Sequence, residues 1–379
     1  MSDLRIGMVG HAFMGRAHSQ AWRVVNRFFD LPLVAEMTAV CGHDEQRTAA
    51  AAQQLGWQSY ETDWHALIER DDIDVVDICT PGDSHAEIAI AALRAGKHVL
   101  CEKPLANTVD EARSMTSAAV AVASGVRSMC GYSYRRVPAV ALMARMVADG
   151  KVGQIRHVRA VYLQDWLVDP AAPLTWRMQA ERAGLGAMGD IASHIVDMVQ
   201  YLTGQRITGV SGLTETFIHE RPLLDGTGSG PVTVDDAGLF VARLSGGALA
   251  TFEATRLATG RKNALRVEIN GSAGSLSFDL ESLNELQYYD LSRPSAEQGF
   301  ARILVTEPDH PYVGAWWPPG HLLGYEHAFT NQARDFIDAI ATGTDPRPSF
   351  AEALNVQLVL DAVVRSSAAG VQWTEVEPA

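Results

Sequence analysis

The sequence is short of lysine, of paired cysteines and of long apolar runs. Of 31 basic residues only four are lysine (Lys97, Lys103, Lys151 and Lys262), and the other 27 are arginine. Against 45 acidic residues this gives a formal charge of −14, so no basic face is expected for nucleic acid or an anionic membrane. The four cysteines, Cys41, Cys79, Cys101 and Cys130, lie near the ends of apolar runs and lack the C-x-x-C spacing of a zinc site. They read as small buried thiols in a reducing compartment, and no metal is expected. No apolar stretch is long enough to span a bilayer, and a strand candidate, Leu4 to Val9, starts almost at once, so a cytoplasmic protein is expected. What is present is ordinary for a globular protein: 47% hydrophobic and 20% charged residues over 379 positions, long enough for two domains.

The first third has a strand, a glycine turn and a helix in succession. Leu4 to Val9 is β-compatible, Gly10-His11-Ala12-Phe13-Met14-Gly15 follows, and a helical pattern runs on through Val25. Such a turn lets backbone amides and a helix N-terminus approach a pyrophosphate, although Ala12 stands where the usual motif has its second glycine. Strand-like and helix-like segments then alternate: Met37 to Cys41, Asp44 to Leu55, Val75 to Cys79, His85 to Ala95, His98 to Cys101, Thr108 to Ser124 and Ser128 to Gly131. That alternation predicts an α/β fold with a doubly wound parallel sheet, a Rossmann dinucleotide-binding domain over residues 1–131. Ligands of such sheets collect beyond the carboxyl ends of the strands, the rim where Thr80-Pro81 and Glu102-Lys103-Pro104 fall. The expected cofactor contacts are Gly10, Ala12, Phe13, Met14, Gly15, Gly42, His43, Thr80, Pro81, His85, Glu102 and Lys103. An acid normally ends the second strand and holds the adenosine ribose, but here Gly42 takes that place and Asp44 is expected to cap the helix from Glu45. His43 and Arg47 suit a 2′-phosphate, so the cofactor is NAD or NADP with a lean to NADP.

Residues 132–379 change pattern. After a helix from Val137 to Ala148 come strand candidates at Ile155 to Leu163, Thr208 to Phe217, Asp236 to Leu244, Ala248 to Thr255, Ala264 to Asn270, Gly274 to Asp279 and Glu285 to Tyr289. Gly246-Gly247 and Ser272-Ala273-Gly274 look like hairpin connections. A C-terminal α+β domain with a large, mostly antiparallel open sheet is expected. Helices at Glu326 to Ala341 and Ala351 to Ala369 close it and should pack near the domain junction. Alternation on one strand, Thr251, Glu253, Thr255, leaves an outer face either solvated or paired with another subunit. The aromatic run from His310 to His321 reads as a lid or an oligomer contact, with His321 and His327 as weaker site candidates.

Asp190 and His194 fall four apart, a spacing that puts both on one helix face. Histidine titrates near neutrality, which suits a group that takes a proton from a hydroxyl and returns it, while the ammonium of Lys103 would polarise the same oxygen. Tyr134, Gln164, Trp166, Trp176 and Arg177, with Asp190 and His194, mix stacking surface and polar groups as a ring polyol requires.

The glycine turn, Thr80-Pro81 with His85, the run from Ala95 through Glu102-Lys103-Pro104-Leu105-Ala106, and Gly189-Asp190 with His194 together resemble the Gfo/Idh/MocA oxidoreductase family. Within it the sequence is most similar to dehydrogenases of sugars and cyclitols, such as the inositol and levoglucosan types. Tyr134-Arg135-Arg136, the segment Tyr162 to Trp166 and Trp176-Arg177 are especially like the latter. The resemblance implies that Lys103 binds the reacting hydroxyl, that His194 is the acid/base and that Asp190 is its partner or a substrate ligand. The implied reaction is NAD(P)-dependent oxidation of a secondary hydroxyl of a neutral sugar, anhydrosugar or cyclitol to a ketone. The resemblance also implies a homo-oligomer, dimer or tetramer, built on the C-terminal sheet. Two other activities share the pattern: an NAD-dependent glycoside hydrolase of the same fold and a catalytically silent dinucleotide sensor.

Overall fold

A computed structural model describes residues 3–122 and 125–379. The chain divides into two compact units, Met1–Arg136 with Gly324–Leu354, and Val137–Leu323 with Asn355–Ala379.

The first unit holds six strands, β1 (Asp3–Val9), β2 (Val34–Cys41), β3 (Ser59–Glu61), β4 (Val75–Ile78), β5 (His98–Cys101) and β6 (Ser128–Cys130), in the spatial order β3-β2-β1-β4-β5-β6. Every neighbouring pair is parallel, so the strands can lie buried on both faces and read as continuous apolar runs such as Val75-Val76 and Val99-Leu100. Five helices connect them: α1 (Phe13–Phe28), α2 (Glu45–Leu55), α3 (Trp64–Glu69), α4 (His85–Arg94) and α5 (Val109–Ala121). Asp44 caps α2 by accepting the Arg47 amide, and Thr108 with Glu111 closes a capping box on α5. The expected extension of α5 to Ser124 falls partly outside the described residues. β3 and α3 carry no sequence periodicity long enough to betray them and were not expected. Strand order reverses between β1 and β4, which fixes where a dinucleotide would lie.

The second unit opens with α6 (Pro138–Ala148) and carries a nine-stranded sheet built from β7 (Ile155–Leu163), β8 (Ile207–Glu215), β11 (Ala237–Leu244), β12 (Leu249–Thr255), β13 (Ala264–Gly271), β14 (Gly274–Asp279), β15 (Glu285–Asp290), β16 (Ala301–Leu304) and β17 (Thr374–Glu375). A small hairpin, β9 (Glu220–Pro222) with β10 (Ser229–Pro231), stands apart from it. Only β7 and β12 run parallel; the other pairs are antiparallel. The short β9, β10, β16 and β17 were not expected from the sequence. Two helices lie between β7 and β8, α7 (Ala180–Ala183) and α8 (Ser193–Thr203).

The chain then returns to the first unit as α9 (Tyr325–Thr342), whose Phe329, Phe336 and Ile337 join the core of Ile6, Met8, Trp22, Val25 and Leu100. α10 (Phe350–Ala368) begins in the first unit and ends in the second. Its first turn is tied within the first unit: the half-buried Glu352 carboxylate accepts Arg135 at 3.1 Å, Arg347 at 3.0 Å and the Ser349 amide at 3.0 Å.

Candidate active site

Three turns form the rim of the first sheet. After β1, Gly10 adopts φ +96°, and a Cβ there would sit 2.9 Å from the Cys79 carbonyl, so the backbone of the β1 and β4 turns touches where only glycine fits. Phe13 opens α1, 63% exposed, and stacks on Tyr325 of α9 with ring centroids 6.4 Å apart. Ala12 precedes it with extended backbone as the N-cap, and Met14 and Gly15 follow in the first turn. After β4 come Thr80-Pro81, and after β5 Glu102-Lys103-Pro104. His85 links these two turns. Its Nδ1 lies 3.0 Å from the Pro104 carbonyl oxygen and its Nε2 2.9 Å from that of Thr80, so the imidazole is buried as a clamp between rim segments.

At the end of β2, the amide of Gly42 donates to Glu61. A Cβ on Gly42 would stand 2.4 Å from His11 Nε2, which itself lies 3.3 Å from Thr48 Oγ1. The His11 ring therefore occupies the space into which an acidic side chain would project. His43 is exposed, and Asp44 is committed to the α2 cap.

Beneath the rim lies a group that the sequence did not disclose. His18 of α1, Asp77 of β4 and Glu102 are buried together, with His18 Nδ1 2.9 Å from Asp77 Oδ2 and Nε2 2.9 Å from Glu102 Oε1. Trp22 Nε1 donates to the same Asp77 oxygen at 2.7 Å. A signal existed: His18 lies on the buried stripe of α1 with Ser19, Trp22 and Val25, and Asp77 interrupts a wholly buried strand. Tyr134, also buried, packs edge-on to Tyr325 at 6.3 Å. Burial raises the Tyr325 phenol, with Tyr134 and Glu102 acting in the same direction.

In the second unit, the approach to Asp190 and His194 corrects the expectation of a plain α-helix. Residues Met188–Ala192 form a π turn in which the Ser193 amide reaches back to the Met188 carbonyl, and α8 starts only at Ser193. The turn is pinned from outside its own sequence. Asp235 accepts the amides of Gly186 at 2.8 Å and Met188 at 2.7 Å, and a Cβ on Gly186 would lie 1.8 Å from the Asp235 carbonyl oxygen. Burial raises the Asp235 carboxyl above its usual range despite those two donors.

Asp190 faces Arg256, whose Nη1 is 3.7 Å from Oδ2; the arginine is fully buried. The same guanidinium donates to the carbonyls of Arg177 at 3.3 Å and Asp235 at 3.2 Å, and lies 5.7 Å from the Trp166 ring centroid. Arg177 places its own guanidinium 4.4 Å from the Trp176 ring centroid. His194, half-buried, meets Tyr162 edge-on at 5.8 Å. Tyr162 Oη and Gln164 Nε2 both donate to Asn263 Oδ1 at 2.8 Å, and Trp166 Nε1 donates to Gln164 Oε1 at 2.9 Å. Arg256, Asp235, Tyr162 and Asn263 were missed because their partners are distant in sequence. The weaker candidates have local tasks: His327 Nδ1 accepts the Gly324 amide at the start of α9, and His321 Nδ1 lies 2.9 Å from the Pro318 carbonyl.

Residues 4–132 match the oxidoreductase family with an NAD-binding Rossmann fold, and residues 140–277 match the GFO/IDH/MocA C-terminal domain. The chain is 41% identical to levoglucosan dehydrogenase of Pseudarthrobacter phenanthrenivorans, with 99% of each chain covered. It is 27% identical to inositol 2-dehydrogenase of Rhizobium meliloti over 96% of this chain and 97% of the other. Among solved structures, an oxidoreductase domain protein from Kribbella flavida superposes with a TM-score of 0.97 at 61% identity, with complete coverage of both chains. Levoglucosan dehydrogenase in complex with NADH and levoglucosan gives a TM-score of 0.96 at 41% identity, again with complete coverage of both.

Proposed function

The chain belongs to the GFO/IDH/MocA family of NAD-binding oxidoreductases, and from that premise we propose that it oxidises a secondary hydroxyl of a neutral ring polyol, an anhydrosugar such as levoglucosan or a cyclitol, to a ketone. The observation that carries this reading is the pinned π turn, which presents Asp190 ahead of His194 and ties it to a buried arginine. When bound, the nicotinamide accepts a hydride from the carbon that bears the hydroxyl. His194 takes the hydroxyl proton, Asp190 orients the imidazole or a substrate hydroxyl, and Lys103 steadies the developing alkoxide. The C–H electron pair leaves as hydride and the O–H pair becomes the second bond of the carbonyl.

The linked amides and rings of Gln164, Asn263 and Trp166, with Tyr134, Trp176 and Arg177, support a neutral, hydroxyl-rich ring as substrate. Gly10, Ala12, Phe13, Met14, Gly15, Thr80, Pro81, His85 and Lys103 would line the dinucleotide, while the buried Glu102 carboxylate, engaged by His18 and the Lys103 amide, supports that lining. The structure of a levoglucosan dehydrogenase in complex with NADH supports NAD(H) here. Gly42 and the commitment of Asp44 to a helix cap leave no acid against a 2′-phosphate, and His43 lies nearby, so NADP is accepted as well.

The outer face of the large sheet carries Leu213, Leu239, Val241 and Leu249, each about half exposed, on directly paired strands; it is the surface on which a homo-oligomer would form. The activity is tested by following nicotinamide absorbance with levoglucosan, inositols, glucose, glucose 6-phosphate and gluconate. Net reduction of cofactor with a neutral member is expected. A tenfold preference for a phosphorylated or carboxylated member, about 1.4 kcal/mol of transition-state binding, would overturn the neutral-substrate reading.

A further inference from the structure

We propose that His18, Asp77 and Glu102 form a buried ion triad that positions the turn carrying Lys103. The proposal rests on the role of Lys103 given above, and it makes the three side chains positioning residues.

The chemistry follows from donors and acceptors. Nδ1 of His18 lies 3.0 and 2.9 Å from the two Asp77 oxygens, and Nε2 lies 2.9 Å from Glu102 Oε1. Carboxylates only accept, so a ring facing one on each side donates from both nitrogens, which requires the imidazolium. Burial opposes that charge, but the Asp77 carboxylate outweighs it and holds His18 well above its ordinary range. The other groups that face the ring do not compete. The Cys79 thiol, 3.7 Å from Asp77, is pushed up to about 12 by burial, and α9 contributes the Phe329 ring at 5.5 Å.

The second oxygen of Glu102 ties the triad to the rim. Oε2 accepts the Lys103 amide at 3.3 Å, and the carbonyl of Pro104, the following residue, is held by His85. From the far side the backbone of Gly131 presses so close that a Cβ would stand 2.6 Å from Glu102 Oε1. The turn is thereby fixed on both sides of Lys103 by groups from α1, β4, α4 and the end of β6. His18, Asp77 and Cys79 also have metal-ligand spacing, the one such group among the described residues, but both ring nitrogens are already engaged by carboxylates.

The test uses the full chain with NADH bound. Nitrogen NMR should find a histidine signal, missing from His18→Gln, that stays doubly protonated well above the ordinary value of ~6.5. Glu102→Gln should speed amide exchange at Lys103. With the substrate found in the screen, it should lower kcat about tenfold while KM and NADH affinity stay within about twofold. If that variant does not fold, His18→Gln is read in the same way. A neutral His18, a stoichiometric bound metal, or a lowered melting temperature with kcat and Lys103 exchange unchanged would each overturn the triad. Full turnover by Lys103→Met would instead sink the catalytic reading, while the NMR and exchange results still decide the triad.

Discussion

The two units use buried charge in opposite ways. In the first, a cation from a helix, His18, lies between Asp77 of β4 and Glu102 of the turn after β5, and the ensemble supports that backbone turn. In the second, one buried arginine, Arg256, serves an acid on one side and two main-chain carbonyls on the other, and it supports a side chain, Asp190. The turn keeps the His85 tether on the Pro104 carbonyl when one member of the triad is lost, whereas Arg256 is a shared partner of Asp190 and of two carbonyls at once. The second unit should therefore be the more fragile catalytically.

The sharpest break is at the reacting groups themselves. Lys103→Met and His194→Ala should each lower turnover by about a hundredfold or more, with NADH affinity nearly unchanged in titration, because each removes a group that acts on the reacting hydroxyl. Retained turnover at saturation would remove that residue from the mechanism. Next in size is Arg256→Met, which removes the buried cation that faces Asp190 and donates to the Arg177 and Asp235 carbonyls. It should cost about 3 kcal/mol in denaturant unfolding and lower kcat more than Glu102→Gln does. The reverse order of the two kcat effects would contradict the contrast between the units.

Glu352 sharpens the comparison through pH. Burial opposes its charge, but Arg347, Arg135 and the Ser349 amide lower its carboxyl to about 2 from an ordinary 4.5. A lowered folded value means the stabilisation is fully present above 4.5 and disappears as pH falls through about 2. Glu352→Gln should thus cost about 2 kcal/mol near neutrality, a difference that urea titrations should see vanish toward pH 2. A gap that persists in acid would mean packing, not charge, is what the glutamate supplies.

The smallest effect is expected at Gly42. Gly42→Asp should move the NAD to NADP ratio of kcat/KM toward NAD by about threefold to tenfold, since a carboxylate accepts ribose hydroxyls and repels a phosphate. The new Cβ meets His11, so Gly42→Asp with His11→Ala should show the larger shift. An unchanged ratio in both would place cofactor choice elsewhere.

Legibility followed the distance between partners. The rim of the first unit was readable because each turn is a short motif after a buried apolar strand, as at Val9-Gly10, Cys79-Thr80 and Cys101-Glu102. The triad below it was not, because its contacts join residues 59 and 84 positions apart. Asp190 and His194 were found by their spacing, but the π turn was hidden. It depends on Asp235, 47 residues after the Met188 amide it accepts, and periodicity carries no trace of such a tether. Short elements such as α3 and β17 were lost because a few residues show no period.

The central claim is direct hydride transfer from a polyol carbon to nicotinamide, and it is tested most directly with levoglucosan or an inositol deuterated at every carbon. One deuterium per ketone formed is expected at C4 of the nicotinamide, with a slowed rate of transfer. Ketone formed without labelled cofactor would contradict direct transfer.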